Sequence, residues 1–298
     1  MNKSRDQMQS GILVVDKPRG PSSHQVTAWV GRMLDLPASH SGTLDPQVSG
    51  VLVVMLGRAM RLAPILMQQD KEYTVLLRLH GDVTKEDIER VAKEFTGKIY
   101  QRPPRKSAVR RALRIRTIHE LEILEIRDRL VLFHVACESG TYIRSLCHHM
   151  GLVLGVGGHM QELRRIRSGQ YSEADASTLH DIKDATIRAE EGDASVLDSL
   201  IHPMEEALST IPRVVVQDLA VDALCHGAVL AGVGVVRRDV YRKGALVALL
   251  SRRNELIGIG EALTPATAYE PGDTGLVIAP RIILMDPGTY PRGWKKRS

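Results

Sequence analysis

A chain of 298 residues with 43% hydrophobic and 25% charged residues has the composition of a globular protein of two domains or one large one. No stretch reaches the uninterrupted apolar length of a membrane span, and the polar segment 1–10 lacks the apolar core of a secretory signal. A net charge of +5 favours a polyanionic partner, 4% aromatics argues against a nucleic-acid reader built mainly on base stacking, and three scattered cysteines (Cys137, Cys147, Cys225) exclude a disulfide framework or zinc cluster and fit a reducing cytoplasm.

Ile12-Leu13-Val14-Val15 reads as a short strand. Segment 16–21 has two prolines and a glycine, which exclude helix and ladder alike; its Lys17, taken alone, is a solvated loop lysine. Ser22 or Ser23 then caps a helix whose buried face is Val26, Trp29, Val30, Met33 and Leu34. A polar turn follows, His40-Ser41-Gly42-Thr43-Leu44-Asp45-Pro46 and then Gln47-Val48-Ser49-Gly50, wedged against the continuous apolar run 51–56. Asp45 is the only acid between Leu36 and Gln69. A lone carboxylate on a tight turn beside a buried strand suits catalysis, and it equally suits an Asp that accepts hydrogen bonds from its own turn.

Residues 58–69 read as a helix despite Pro64, and 71–81 as a strand with Tyr73, Val75, Leu77 and Leu79 on one side. Tyr73 by itself is a core or boundary tyrosine. Thr84, with Asp87 three residues on, caps a helix that buries Ile88, Val91 and Phe95. From Lys98 to Arg116 there are eight basic residues, Arg105, Lys106, Arg110 and Arg111 among them, and no acid. A run of one sign costs self-repulsion, so a phosphate backbone is a reasonable partner. Segments 120–126 and 130–136 read as a hairpin.

Ser139-Gly140-Thr141 opens a helix near Tyr142 with Ile143, Leu146 and Met150 inward. Arg144 falls in its first turn, where a cation opposes the helix dipole by a few tenths to about 1 kcal/mol, a placement that a nearby carboxylate would explain. Cys147-His148-His149 with His159 makes a poor metal set, since adjacent histidines point to different helix faces; no metal is expected. The glycine-rich 155–158 lacks the Lys-Ser/Thr ending of a phosphate loop. Residues 177–191 and 194–208 read as helices, and 209–212 as a boundary. Beyond it, short apolar strands at 214–216, 232–236, 245–250, 257–262, 276–279 and 282–285 suggest a small β-barrel. The basic groups Arg237-Arg238, Arg242-Lys243, Arg252-Arg253 and Lys295-Lys296-Arg297 favour RNA binding there over a merely stabilising barrel.

The stretch from His40 to Pro46 resembles the catalytic motif of the TruB family of RNA pseudouridine synthases. Ser41 and Val48-Ser49-Gly50 are similar to the spelling of its archaeal and eukaryotic branch, the dyskerin-like catalytic subunits of the box H/ACA ribonucleoprotein, and the compact tail looks archaeal. Lys17-Pro18 with Ser23-His24, the Lys-x-Tyr pattern ending at Tyr73, Thr141-Tyr142-Ile143-Arg144, and Leu163-Arg164-Arg165 with Gly169 resemble further family segments in the family's order. Ala223-Leu224-Cys225-His226-Gly227-Ala228 and Pro271-Gly272-Asp273 resemble a PUA domain. Met60-Arg61 departs from the family's usual Thr-Lys.

The resemblance implies an α+β fold: a catalytic domain with a central mixed β-sheet (1–210), a PUA β-barrel (211–287) and a basic tail (288–298). It implies isomerisation of uridine to pseudouridine within RNA, which needs no redox step and no cofactor. Asp45 is then the essential carboxylate, as nucleophile or as base. Arg144 orients it as a bidentate partner, Tyr73 packs on the base and is a candidate to assist the later proton removal, Leu163 lines the base pocket, and Lys17 and Pro18 shape the wall. His40 either helps fill the space left by the extruded base or is a hydrogen-bonded turn histidine. Lys17, Arg105, Lys106, Arg110, Arg111, Arg164, Arg165, Arg252 and Arg253 are the expected RNA contacts. The implied partners are a box H/ACA guide RNA, three small core proteins, ribosomal RNA, and tRNA whose T-loop uridine is modified without a guide. Two other classes are weighed against this: an RNA-binding scaffold, which has no need of Asp45, Tyr73 and Arg144 together, and a nucleoside hydrolase, which has no use for the basic run or the barrel.

Overall fold

The structure, a computed structural model, describes residues 10–102 and 112–292. Arg105, Lys106, Arg110 and Arg111, and the Lys295-Lys296-Arg297 tail, lie outside the described residues. The chain forms two compact units, Met1–His202 and Pro203–Ser298.

The first unit opens with β1 (Gly11–Lys17), α1 (Ser23–Leu34), β2 (Ala38–His40) and β3 (Ser49–Leu56). Ser22 is the helix cap: its hydroxyl accepts from Gln25 N while the Gln25 side chain accepts from Ser22 N, a closed capping box. A 3₁₀ turn (Gly57–Leu62) and the single-turn α2 (Ala63–Leu66) stand where one helix was expected over 58–69. Pro64 sits in the first turn of α2, where its missing N–H costs nothing, but it cannot continue a helix already under way.

Next come β4 (Lys71–Leu79), α3 (Lys85–Glu94), capped by Thr84, and the strands β5 (Gly97–Gln101), β6 (Arg114–Arg127) and β7 (Leu130–Cys137). The ends of the basic run are therefore strand: Gln101 pairs with Arg114 and Tyr100 with Ile115. Then follow α4 (Ile143–Val153), β8 (Gly158–Ser168), β9 (Tyr171–Ser172), α5 (Leu179–Glu190), α6 (Ser195–Leu200) and β10 (Ile201–Pro203). The helix expected over 194–208 stops at Leu200, because Pro203 biases His202 towards extended backbone and bars an i−4 hydrogen bond.

The sheet runs β10-β1-β3-β8-β4-β7-β6-β5, with β2 beside β3 and β9 beside β8. It is mixed: β8 is parallel to β3 and antiparallel to β4. Leu13 and Val15 of β1 and Leu52, Val54 and Leu56 of β3 pack with Val26 and Val30 of α1 and Ile182 and Ala185 of α5. Val75, Leu77, Val131, Phe133 and Val135 of β4 and β7 pack with α3 and α4. Period-two alternation on the strands and helical spacing on the helices thus converge on these two cores.

The second unit contains β11 (Arg213–Val216), α7 (Asp218–Cys225), β12 (Leu230–Ala231), β13 (Val235–Arg238), β14 (Leu246–Leu250), β15 (Leu256–Ala262) and β16 (Leu276–Ile283). Their order is β12-β16-β15-β14-β11-β13. The two outermost strands are joined by a three-residue turn, Gly232–Gly234, so the sheet must curl almost closed around its core. The strand expected at 232–236 is thus a turn followed by β13. The two expected over 276–285 are one strand, with Pro280 at a register shift where no ladder donor is needed. Among the described residues no helix is long and apolar enough to cross a membrane. Cys137, Cys147 and Cys225 are free and buried; burial pushes the first two thiols up to about 12.

The short parallel joint between β3 and β8 has two residue pairs, Ser49 with Arg164 and Gly50 with Arg165. Gly50 has φ +104°, and a Cβ there would stand 2.2 Å from Arg165 O. Gly97 has a similar φ, +107°, with open space around it. Gly97→Ala should therefore cost about 1 kcal/mol, from backbone strain alone. Gly50→Ala should cost about 3 kcal/mol or more, because the strands must also part. Urea midpoints of the two variants check this; equal losses would refute the close-packing account.

Candidate active site

The loop from His40 to Gly50 has little secondary structure of its own, so its backbone groups need partners from elsewhere. Three buried side chains supply them. Ser23, at the start of α1, turns inward: its hydroxyl accepts from Leu44 N at 2.7 Å and donates to Leu44 O at 2.9 Å. Lys17, at the end of β1, donates to Val48 O at 2.7 Å, Pro18 O at 2.9 Å and Pro46 O at 3.5 Å. Arg165, in β8, donates through Nε to Val51 O at 2.7 Å and through Nη2 to Gly42 O at 3.1 Å. Backbone bonds from Gly20 N to Pro46 O, Ser41 N to Val53 O and Val48 N to Asp45 O complete the frame.

Two expected RNA contacts are thereby corrected. Lys17 and Arg165 are 0% and 2% exposed, and their donors are taken up by carbonyls, so neither has a face for a phosphate. Burial pulls the pKa of both cations below its ordinary value; for Lys17, Arg165 pulls it further and Asp45 opposes. Arg164 is half-exposed, with its fork on Asp16 (3.0 and 3.2 Å) and its Nε on Glu173, so most of its hydrogen-bonding capacity is committed within the fold.

Asp45 stands exposed at the crest of this frame. Arg144 Nη2 donates to Asp45 Oδ2 at 2.6 Å across 99 residues of sequence, one arm rather than the expected fork. Both side chains are more than half exposed, 60% for Arg144 and 58% for Asp45. A pair so exposed contributes about 0–1 kcal/mol to stability. Arg144 also lies in the first turn of α4, which has no acidic residue there to offset it against the helix dipole. The fold therefore gains almost nothing from the pair.

Tyr73, Leu163 and His40 stand on β4, β8 and β2. Tyr73 pairs with Arg165 in the β4–β8 ladder, and its hydroxyl lies against the Arg165 guanidinium. Burial holds the phenol above its ordinary pKa of 10.0, against the pull of that cation, so it is neutral at neutral pH. Leu163, on β8 like Arg165, is half-buried beside the β4–β7 core. His40 Nδ1 accepts from Gly42 N at 3.4 Å, which fixes the neutral tautomer with hydrogen on Nε2. Burial lowers the His40 pKa, with Arg165 and His24 adding to it. Lys71 donates to the carbonyls of Leu66, Met67 and Gln69, and burial with the Arg165 charge brings it down to about 8. His159 pairs with His80 at 2.8 Å rather than with the adjacent His148 and His149. Arg252 and Arg253 are exposed in the second unit.

Sequence reasoning assigned Asp45, Arg144, Tyr73 and Leu163 to one site; the structure puts Arg144 in contact with Asp45, with Tyr73 on β4 and Leu163 on the neighbouring β8. It missed Ser23 as a loop clamp, although two adjacent serines before one helix signal that only one of them is needed as its cap. It missed Gln101, whose amide pairs with both backbone groups of Tyr142 at the start of α4.

Residues 36–143 match the TruB family pseudouridylate synthase N-terminal domain, residues 144–209 the tRNA pseudouridylate synthase B C-terminal domain, and residues 212–284 the PUA domain. A probable tRNA pseudouridine synthase B of Methanosarcina barkeri is 47% identical over 293 residues, 97% of this chain and 87% of the relative. Another, of Archaeoglobus fulgidus, is 47% identical over 98% of this chain and 90% of its own length. Among solved structures, an H/ACA RNP bound to a substrate RNA containing 2′-deoxyuridine holds a chain of 42% identity, with TM-score 0.91 over 98% of this chain and 90% of that one. A Cbf5-Nop10-Gar1 complex holds one of 44% identity with the same TM-score and coverage.

The lowered His40 pKa sets a sign. Below the ordinary imidazole value of 6.5 the unfolded chain binds a proton that the folded chain refuses, so His40 removes stability as pH falls through 6.5 towards its folded value. The stability difference between wild type and His40→Asn should therefore shrink between about pH 7.5 and about pH 5. Urea midpoints measure it; a difference constant across that range would refute the assignment.

Proposed function

The chain belongs to the TruB family of pseudouridylate synthases and is an RNA pseudouridine synthase, and we propose that its reaction centres on the Asp45–Arg144 pair. The observation that carries this reading is an exposed ion pair of little value to stability, raised on a loop whose backbone is held by buried donors on every side. A carboxylate fixed from behind, with a cation setting its direction, is preorganised for work on a substrate.

The isomerisation breaks the bond from ribose C1′ to N1 of the uracil, turns the base, and joins C1′ to C5, which then loses its proton to solvent while N1 takes one up. Asp45 supplies the carboxylate that acts on the ribose, as nucleophile or as base. Arg144 holds one carboxylate oxygen and leaves the other for the substrate. Tyr73 offers a flat face to a base that has lost its stacking neighbours; its raised pKa suits packing rather than proton removal. Leu163 lines the same pocket, and His40, held neutral, helps fill the space left by the extruded base without adding charge.

This chain works with a box H/ACA guide RNA and three small core proteins on ribosomal RNA, and without a guide on the T-loop uridine of tRNA. The first part is supported by likeness to the H/ACA RNP and Cbf5-Nop10-Gar1 structures, the second by relatives described as probable tRNA pseudouridine synthases. Arg252 and Arg253 in the PUA unit are exposed and available to RNA phosphate. Three free thiols fit the reducing cytoplasm.

Release of tritium from RNA carrying [5-³H]uridine measures the reaction directly. Two arms are run: unmodified tRNA with the protein alone, and a ribosomal RNA fragment with guide RNA and partner proteins. Asp45→Asn should abolish release, by about 1,000-fold or more, while RNA affinity changes little. Arg144→Lys, which keeps the charge but changes its geometry, should lose about 10- to 100-fold. Wild-type rates in Asp45→Asn would overturn the reading, and the two arms rank the substrates.

A further inference from the structure

Arg144 reaches Asp45 only if α4 starts in the right place and direction, and that start has no cap of the usual kind. Tyr142 is the N-cap residue, with extended φ −94° and ψ 97°, and its side chain makes no capping bond. Its backbone is held instead by the side chain of Gln101, 41 residues away at the end of β5. Gln101 Oε1 accepts from Tyr142 N at 2.9 Å, and Nε2 donates to Tyr142 O at 3.1 Å. The amide thus acts as a one-residue strand partner, two positions before Arg144. Gln101 is 2% exposed, so its own donors and acceptor have no recourse to water.

The approach to Tyr142 is gripped from the neighbouring strand as well. Glu138 accepts from Thr117 N and from Arg116, both on β6, and its carbonyl accepts from the Thr141 hydroxyl. Residues 138–142 therefore take their path from β5 and β6. Ile143, Leu146, Cys147 and Met150 anchor the far face of α4 in the core, but these apolar contacts are non-directional and tolerate a small roll or slide of the helix. The paired hydrogen bonds at Tyr142 are directional and do not.

We propose that Gln101 is a positioning residue for the pseudouridylation reaction, holding the Tyr142 peptide groups so that Arg144 meets Asp45. The inference rests on the reading of Asp45 and Arg144 as the working pair. Gln101 itself touches neither of them.

The test is single-turnover tritium release with saturating enzyme, measured per folded molecule for five full-length proteins: wild type, Gln101→Met, Gln101→Glu, Arg144→Ala and the double variant Gln101→Met with Arg144→Ala. Gln101→Met keeps length and bulk but loses both hydrogen bonds; Gln101→Glu keeps the acceptor for Tyr142 N. The Gln101→Met rate should fall on the order of 10- to 100-fold, with RNA affinity within about twofold of wild type. Gln101→Glu should recover part of that loss. In the Arg144→Ala background, Gln101→Met should bring no further loss, because the group it positions is gone. A wild-type rate for Gln101→Met despite a lowered Tm would make Gln101 merely structural and overturn the proposal. So would an undiminished loss in the Arg144→Ala background. If Gln101→Met does not fold, Gln101→Glu carries the same comparison. Full activity of Arg144→Ala by itself would instead overturn the reading of the ion pair, which keeps the two failures distinct.

Discussion

The site depends on one buried cation. Arg165 lies in β8, between β3 and β4, and its guanidinium reaches the carbonyls of Val51 and Gly42 on one side and the Tyr73 hydroxyl on the other. Where the ladder between β3 and β8 is only two pairs long, the arginine supplies the missing cross-links. Among the described residues no carboxylate is paired with it, so its burial is costly and its pKa is depressed. The carbonyl dipoles offset that cost, and removing the side chain would leave buried carbonyls unpaired. Gly50 follows from the same constraint, since β3 must run against the backbone of Arg165 itself.

Stability and function are thereby separated by depth. Below the surface Lys17, Ser23 and Arg165 hold nearly every turn of the motif loop. Above it Asp45 and Arg144 stand in water, contribute little to folding and are free to meet a substrate. Lys17, Lys71 and Arg165 also put three cations beneath a loop that has one carboxylate. Their charge is screened less than that of surface groups, and its sign suits an enzyme whose substrate is a polyanion.

Much of this was legible in the sequence, for physical reasons that can be named. Capping residues marked α1 and α3, and apolar alternation marked β4, because local chemistry decides those elements. Asp45, Tyr73, Arg144 and Leu163 were read from motif spelling. Lys17 and Arg165 were misread as RNA contacts, because a cation's letter does not say whether carbonyls wait for it inside the fold. The helices expected at 58–69 and 194–208 were over-extended, since each contains a proline whose effect depends on where the helix begins. Gln101 was invisible because its partner is a backbone unit 41 residues away, which no side-chain pattern encodes.

The three buried thiols have a practical consequence. With Cys137 and Cys147 held near pKa 12 and shielded from solvent, neither is a ready nucleophile in the folded protein. Alkylating reagents then react only when the surrounding structure opens. Two of the thiols belong to the first unit and the third, Cys225, to the second. The first unit thus carries its own clock: the rate at which its two thiols are labelled reports how often that unit opens, with no engineered probe.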